Sequence, residues 1–318
     1  MTSPQPQPSG ERRVHGLLLL LALGASVGLA WRSRHALQPP SVAPAVLELA
    51  SVVPPGPELL VTADVARLSP AVALELLRAG GDALLGLREL CGFEPVLGLR
   101  RVAFAMPFRA ENEPKGADFA LIADTALQPE PVLRCAEAVM KKRGGHPVRS
   151  SLAGFSSVRD QAKPLGEVAM RADGLFVFSG GQYFRDVLDA ANAAPPGDEQ
   201  ARLRSQLHAG MRRRLGQSQL MLTLVPGAGM NLPGVRALGL GLEVDGEVLL
   251  RGFVGCASAP ACSEARATIE QLKTEGAQQL GLAGLESLRT AQHDVELDVT
   301  ARLPREQLGR LLTQLLSP

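Results

Sequence analysis

Aromatic residues are scarce in this chain of 318 residues: they make up 3% of it, and tryptophan and tyrosine each occur once. Platforms that stack single-stranded nucleic acid depend on aromatic faces, so the composition argues against that class of protein. The formal net charge of +1 provides no strong field to attract nucleic acid. We therefore expect no nucleic-acid partner.

Signals for bound cofactors and metals are missing as well. No stretch matches the G-x-x-x-x-G-K-[ST] phosphate loop, and the five histidines include no H-x-x-x-H pair. We expect His146, His208 and His293 to be surface or turn residues rather than zinc ligands. The sequence thus predicts no catalytic residue, no metal ligand and no cofactor.

One apolar run, VHGLLLLLALGASVGLAW, fills residues 14–31 after a polar segment at residues 1–13. The run has no charged residue and approaches the roughly 20 residues that a membrane-spanning helix needs. Trp31 lies where an interfacial aromatic residue anchors such a helix. We predict an uncleaved transmembrane signal-anchor at residues 14–31 and a cytoplasmic tail at residues 1–13; cleavage after Ala30 is the alternative.

The charges that flank this run bear on the orientation of the anchor. Arg12 and Arg13 precede the run while Arg32 and Arg34 follow it, so the positive-inside rule nearly cancels. The short preceding tail favours C-terminal domains outside the cytoplasm, in the periplasm at a bacterial inner membrane. The inverted topology, with an anchored cytoplasmic regulatory or adaptor domain, is the alternative.

A Pro-rich stalk is predicted at residues 32–57, and strand-turn-helix patterns follow it. The segments ADVARLSP, ADTALQP and LDVTARLP are alike and suggest repeated modules, with Asp64, Asp124 and Asp298 at their turns. Aspartate commonly accepts backbone hydrogen bonds within its own turn, and this structural role explains all three positions. The functional alternative is that the three carboxylates converge on a cation or act as acid and base.

Two Asp-Gly pairs, at residues 173–174 and 245–246, predict β-hairpins. Over residues 58–158 the elements run strand, helix, strand, strand, helix, strand, which is the order of a ferredoxin-like βαββαβ unit. Pro and Gly interrupt the pattern near residue 195. The predicted fold class is α+β, with two related sheet-and-helix domains at residues 58–195 and 196–318.

The anchor, the stalk leading into PPGPELLVTADVARL and the repeated modules resemble uncharacterised membrane-anchored bacterial proteins, especially those of myxobacteria. The resemblance covers residues 45–318. It implies location and architecture, and it brings no known activity or site residue.

Charged and hydroxyl side chains offer three further candidates. In the last predicted strand, residues 294, 296 and 298 are acidic and alternate with apolar residues, which indicates a solvated face or one that meets a basic partner. The arginines of MRRRL, residues 212–214, end a predicted helix, where positive charge is favourable. Ser179, in VFSGGQYF, either helps to cap the following helix or contributes to an anion site.

The four cysteines form no metal-ligand or C-x-x-C spacing. Cys256 closes a predicted strand and Cys262 opens a predicted helix, so a disulfide across this turn is expected in an oxidising compartment. Whether Cys91 and Cys135 also pair is left open.

These observations predict a non-enzymatic cell-envelope protein with extracytoplasmic binding or assembly domains. Its expected partners are the membrane, through one N-terminal helix, and a protein partner or a second copy. The alternative is an extracytoplasmic hydrolase with a site assembled from dispersed carboxylates or Ser179.

Overall fold

The computed structural model describes residues 49–68, 89–93, 98–108, 118–162, 166–192, 199–227, 232–279 and 284–305. The predicted signal-anchor, most of the stalk and the helix predicted between the first two strands of the ferredoxin-like unit lie outside these residues. Among the described residues, no helix is both long enough and apolar enough to cross a membrane.

Twelve strands of the described chain form one antiparallel sheet. They are β1 Pro57–Asp64, β2 Leu99–Pro107, β3 Ala120–Thr125, β4 Pro147–Leu152, β5 Phe155–Asp160, β6 Glu167–Arg171, β7 Leu175–Ser179, β8 Leu220–Leu224, β9 Val235–Asp245, β10 Glu247–Cys256, β11 Arg289–His293 and β12 Glu296–Leu303. Their order in the sheet is β11-β12-β10-β9-β8-β1-β2-β3-β7-β6-β5-β4.

The four described helices are α1 Pro129–Lys142, α2 Tyr183–Ala191, α3 Glu199–Leu215 and α4 Ala259–Gln279. Helix α1 shows why such segments are helical: Pro129 stands at its start, Glu130 in its first turn, and Lys141 and Lys142 in its last turn. Proline is favourable at a helix start, where its missing N–H would have no partner within the helix. Acidic residues in the first turn and basic residues in the last turn interact favourably with the helix dipole.

Helices cover both faces of the sheet. Side chains of α2 pack in one cluster with Leu60 of β1 and Val177 of β7, and α3 bonds to Thr223, the cross-strand neighbour of Leu60. We call this side the α3 face. Helices α1 and α4 pack on the opposite side, the α4 face, where Leu297 and Val299 lie under α4.

The central strand β1 is buried on both of its faces. Its residues from Pro57 to Val61 are all buried, as expected of a strand with packed layers above and below it. Leu60 belongs to the core on the α3 face, whereas Leu59 and Val61 belong to the core on the α4 face. Strand β1 therefore contributes side chains to the core on each face of the sheet.

The predicted α+β class is confirmed, but the ferredoxin-like arrangement is wrong. That arrangement places its third strand between the first two, which run parallel and are joined by a helical crossover. Here β1, β2 and β3 form an antiparallel meander, and β1 pairs with β2 and β8. After β3 the chain passes through α1 to the sheet edge at β4, and then returns strand by strand to β7, which pairs with β3.

The sheet crosses the predicted domain boundary without a break. Leu60 in the first predicted domain is the cross-strand partner of Thr223 in the second. Part of the predicted stalk also belongs to the folded region: residues 49–51 form a 3-10 turn, and Val52 and Val53 are buried in the core on the α3 face. We call residues 49–57 the entry segment.

Both Asp-Gly hairpins are present. The first joins β6 to β7 and the second joins β9 to β10. Only the glycines, Gly174 and Gly246, have positive φ angles there, so neither Asp takes the left-handed conformation that a type I′ turn requires at both central residues.

Candidate functional site: a cleft under helix α3

A cleft of about 540 Å³ lies between the entry segment and α3, with β1 and β8 as its floor. Its volume is within the range of small-molecule sites, about 300–1,000 Å³. Apolar and polar groups both line it; the residues are Ala50, Val53, Pro54, Pro57, Leu60, Ser205, His208, Ala209, Arg212, Arg213, Gly216 and Met221. We call it the ligand cleft.

Two backbone contacts of Gly56 fasten the entry segment to α3. The Gly56 N–H donates to Ser205 Oγ at 2.7 Å, and Arg204 Nε donates to the Gly56 carbonyl at 3.1 Å. Gly56 has a φ of 72°, and a Cβ at this position would lie 2.6 Å from the Cα of Ala201. Only glycine fits this close approach, which fixes one wall of the ligand cleft.

His208 connects α3 to the sheet behind the ligand cleft. Its ring is 3% exposed; Nε2 lies 2.8 Å from the Pro57 carbonyl and Nδ1 lies 2.8 Å from Thr223 Oγ1. A carbonyl oxygen only accepts, so Nε2 carries a proton. In the neutral ring, Nδ1 then accepts from the Thr223 hydroxyl.

The surroundings of His208 favour this neutral form. Burial lowers the pKa of the ring, because desolvation disfavours the cation. The Pro57 carbonyl opposes this effect by accepting the Nε2 proton, while the nearby charges of Arg212 and Arg204 lower the pKa further. A buried neutral ring between two arginines is suited to holding the helix in place rather than to binding an anion itself.

Two arginines provide the positive charge of the ligand cleft. Arg212 is half-buried, and its Nη1 donates to Thr62 Oγ1 at 2.8 Å. Arg213 lines the same cleft and is exposed. Leu60 and Met221 contribute apolar surface from the floor. The arrangement combines an apolar floor with positive charge, which suits a molecule that has an apolar body and an anionic group.

The predicted cysteine pair is a disulfide: Cys256 and Cys262 are bonded, with their Cα atoms 5.4 Å apart. Cys91 and Cys135, whose pairing could not be decided from the sequence, also form a disulfide, across a sequence separation of 44 residues. The first bridge lies in the core beneath α4, and the second attaches the segment around Cys91 to α1. Neither bridge lies at the ligand cleft.

Ser179 has a structural position. It is fully buried, and its hydroxyl donates to the Phe119 carbonyl at 2.7 Å. This bond adds to the pairing of β7 with β3, so the hydroxyl is neither exposed nor turned towards the ligand cleft.

The three repeated aspartates do not converge. Asp64 and Asp124 are cross-strand neighbours of Arg101, which lies between them on β2, and Arg101 Nη2 donates to Asp124 Oδ2 at 3.0 Å. Asp298 lies four strands from β1 in the sheet. Its predicted turn is wrong, since β12 continues through it to Leu303.

The acidic strand face and the arginine run instead meet each other. Arg214 donates to Glu296 Oε2 at 2.6 Å and lies 3.9 Å from Asp298 Oδ1. Its guanidinium also stacks on Phe253, 4.4 Å from the ring centroid. The sequence predicted two separate charged surfaces. In the structure, the ion pairs of Arg214 with Glu296 and Asp298 attach the C-terminal end of α3 to β12.

His208 is the main residue whose predicted position is wrong. It was expected at the surface or in a turn and is buried, whereas His146 and His293 are exposed as expected. One signal was available in the periodicity of α3: Ser205, His208 and Arg212 share one helix face. Two leucines of α3, Leu203 and Leu207, are exposed instead. Within the described residues, no group of three or more His, Cys, Asp or Glu is placed to hold a metal ion.

No protein-family model and no curated protein matches this sequence. Among solved structures, crystal form I of TP0453 aligns with 84% of this chain and 96% of its own, at 14% sequence identity and a TM-score of 0.46. A likeness of this strength transfers neither fold nor function, so the functional argument is based on the residues described above.

Proposed function

We propose that this chain is a non-enzymatic cell-envelope protein that binds a small molecule with an apolar body and an anionic group in the ligand cleft. The observation that carries the proposal is the cleft itself, with its floor at Leu60 and Met221 and its positive charge at Arg212 and Arg213. The predicted signal-anchor at residues 14–31 would hold this binding domain at the membrane.

Two disulfides support a location outside the cytoplasm. All cysteines that the structure describes are paired, and disulfides persist in oxidising compartments such as the periplasm. The inverted topology predicts reduced cysteines. A reporter that is active only outside the cytoplasm, fused to the C-terminus of the full chain, tests this together with thiol mapping by mass spectrometry. A silent reporter with four free thiols would contradict the location.

The hydrolase alternative gains no comparable support. Its candidate nucleophile Ser179 is buried and bonded to a backbone carbonyl. Its candidate carboxylates are held by arginines, as for Asp124, or lie on a distant strand, as for Asp298.

Photo-crosslinking of the full chain in its membrane tests the binding site directly. The probe is dodecanoate with a diazirine at mid-chain, which combines an apolar hydrocarbon chain with one carboxylate. We expect labelled peptides from the entry segment and from α3 or β8. Arg213→Glu should reduce this labelling by roughly tenfold, because it replaces an attractive charge with a repulsive one.

Arg143→Glu is the matched control, since Arg143 is also an exposed arginine at the C-terminal end of a helix. It should leave labelling of the ligand cleft unchanged. Label spread evenly over the surface, or equal loss in both variants, would refute the proposed site.

A further inference from the structure

Strand β4 forms one edge of the twelve-stranded sheet and is almost fully solvent-exposed. Its residues after Pro147 are all exposed, and only β5 pairs with it among the described strands. Val148 and Leu152 are 38% and 47% exposed, two of the four large apolar side chains that are exposed in the described chain. Proteins commonly block such an edge with charged side chains, proline, a bulge or a covering loop. Within the described residues, β4 has Pro147 at its start and one charged residue, Arg149, whose guanidinium is paired with α1, and it has no bulge.

The turn after β4 determines which backbone groups point to the free side. Leu152 pairs with Phe155, and the two residues between them, Ala153 and Gly154, both have positive φ angles, as in a type I′ turn. The residues that flank such a turn exchange both hydrogen bonds, and the pattern alternates along the strand. Leu152, Ser150 and Val148 thus bond inward to β5.

The backbone groups of the remaining residues point outward. Arg149 and Ser151 each present an N–H and a carbonyl to the free edge, whereas Pro147 presents a carbonyl alone. A second β4 strand can lie antiparallel to the first with the two Ser150 residues opposite each other. In this register, Arg149 of each strand pairs with Ser151 of the other, which gives two such pairs. Each pair exchanges two hydrogen bonds, so all four outward N–H groups of the two strands find an acceptor.

The side chains agree with the same register. Val148 and Leu152 are equally far from Ser150 and share one face of the strand. Val148 of each copy therefore lies opposite Leu152 of the other copy. The two apolar pairs that result become buried. The two Ser150 side chains lie opposite each other at the two-fold axis, where their small size avoids crowding.

Charge also favours this register. The Arg149 side chain lies on the α4 face, where it is paired with Glu130 and Glu137 of α1. In the register centred on Ser150, Arg149 lies opposite Ser151. Centring on Arg149 would place two arginines directly opposite each other, which is unfavourable.

From this self-complementarity we propose that β4 is a dimerisation edge, at which a second copy of the chain adds its β4 antiparallel about a two-fold axis at Ser150. The two sheets then form one continuous sheet, and the contact is closed because the same strand serves both copies. The opposite edge differs: β11 has no large apolar residue. The dimer is independent of whether the ligand cleft binds a ligand.

A cysteine placed on the two-fold axis tests the proposal. In this register the two Ser150 residues form a non-hydrogen-bonded pair, with Cα atoms about 4.5 Å apart. This lies within the range of about 4.4–6.8 Å that a disulfide spans. The full chain carrying Ser150→Cys, purified from membranes and mildly oxidised, should run as a covalent dimer on a non-reducing gel.

Two variants decide between this interface and other contacts. Ser151→Pro removes an outward N–H that the fold does not use, so the S150C/S151P chain should lose most of the covalent dimer while keeping its thermal unfolding. His293→Cys, on the β11 edge, should stay monomeric. A monomeric S150C chain, or a mixed dimer formed only between the S150C and H293C chains, overturns the proposal.

Sedimentation of the full chain in a non-ionic detergent gives a test that needs no new cysteine. Leu152→Lys should weaken dimerisation by about tenfold or more, because it places two charges in the apolar pairs. Leu203→Lys on α3 is the matched control, since Leu203 is similarly exposed at 50%, and it should leave the dimer intact. A monomeric wild-type chain, or equal weakening by both variants, contradicts the assignment.

Discussion

Replacing His208 by alanine should lower the free energy of unfolding by about 1–3 kcal/mol. The ring makes two hydrogen bonds of 2.8 Å in the interior, to the Pro57 carbonyl and to Thr223 Oγ1. A buried polar group left without a partner costs about 1–3 kcal/mol. Here the Pro57 carbonyl is such a group, whereas the Thr223 hydroxyl can still donate to the Leu60 carbonyl at 3.3 Å. Water entering from the ligand cleft would satisfy part of this loss, which sets the lower end of the range.

The effect should also depend on pH in a defined direction. Burial lowers the pKa of His208 below its ordinary value of about 6.5. The unfolded chain therefore takes up the proton first as the pH falls, and the contribution of His208 to stability is fully present only above about pH 6.5. Below that pH the difference between wild type and H208A should shrink by up to about 1.4 kcal/mol per pH unit, until the native ring is protonated.

Urea unfolding of the full chain in a non-ionic detergent, followed by circular dichroism at pH 7.5 and 5.5, measures both effects. His293→Ala is the control: its ring is exposed, and its loss should change stability by less than about 0.5 kcal/mol. A difference between wild type and H208A that stays constant, or that grows towards pH 5.5, would refute the neutral buried ring.

Three further stability predictions use the same assay. Replacing both cysteines of the Cys91–Cys135 bridge by serine should cost about 4 kcal/mol, against about 2 kcal/mol for Cys256–Cys262, because the loop-entropy model scales with the length of the closed loop and the separations are 44 and 6 residues. Equal losses would contradict that ordering. Asp124→Ala should cost about 1–2 kcal/mol, because it leaves Arg101 without its 3.0 Å partner. Asp64 makes no side-chain cap bond, so Asp64→Ala should cost less. A larger loss for Asp64→Ala than for Asp124→Ala would refute the assignment. Tyr183→Phe should raise stability by about 1 kcal/mol, because it removes the buried side-chain hydroxyl that has no partner within the described structure; a loss would show that the hydroxyl is bonded.

The sequence predicted what local chemistry determines. The hairpin at residues 173–174 and the helix α4 near Cys262 follow from turn residues and from periodicity over short stretches. The α+β class follows from the alternation of such elements. The helix predicted after Ser179 is observed as α2, at Tyr183–Ala191.

What the sequence missed depends on pairing between distant residues. Strand β1 meets β8 more than 150 residues later in the chain, as Leu60 meets Thr223, and nothing local in either strand indicates that partner. The burial of His208 has the same origin, because its carbonyl partner, Pro57, lies 151 residues earlier. The ligand cleft forms only when these distant segments meet, so its residues could not be assembled from spacing alone.

Calorimetric titration of the full chain in lipid nanodiscs with two ligands of nearly equal tail length tests the central claim most directly. Empty nanodiscs are titrated as well, to subtract partition into the bilayer. Dodecanoate should bind with one site per chain, more weakly by about tenfold in Arg213→Glu and unchanged in Arg143→Glu, while dodecyltrimethylammonium should show the weaker binding to wild type. Equal binding of both ligands, or binding that Arg213→Glu leaves unchanged, would contradict an anion-selective ligand cleft under α3.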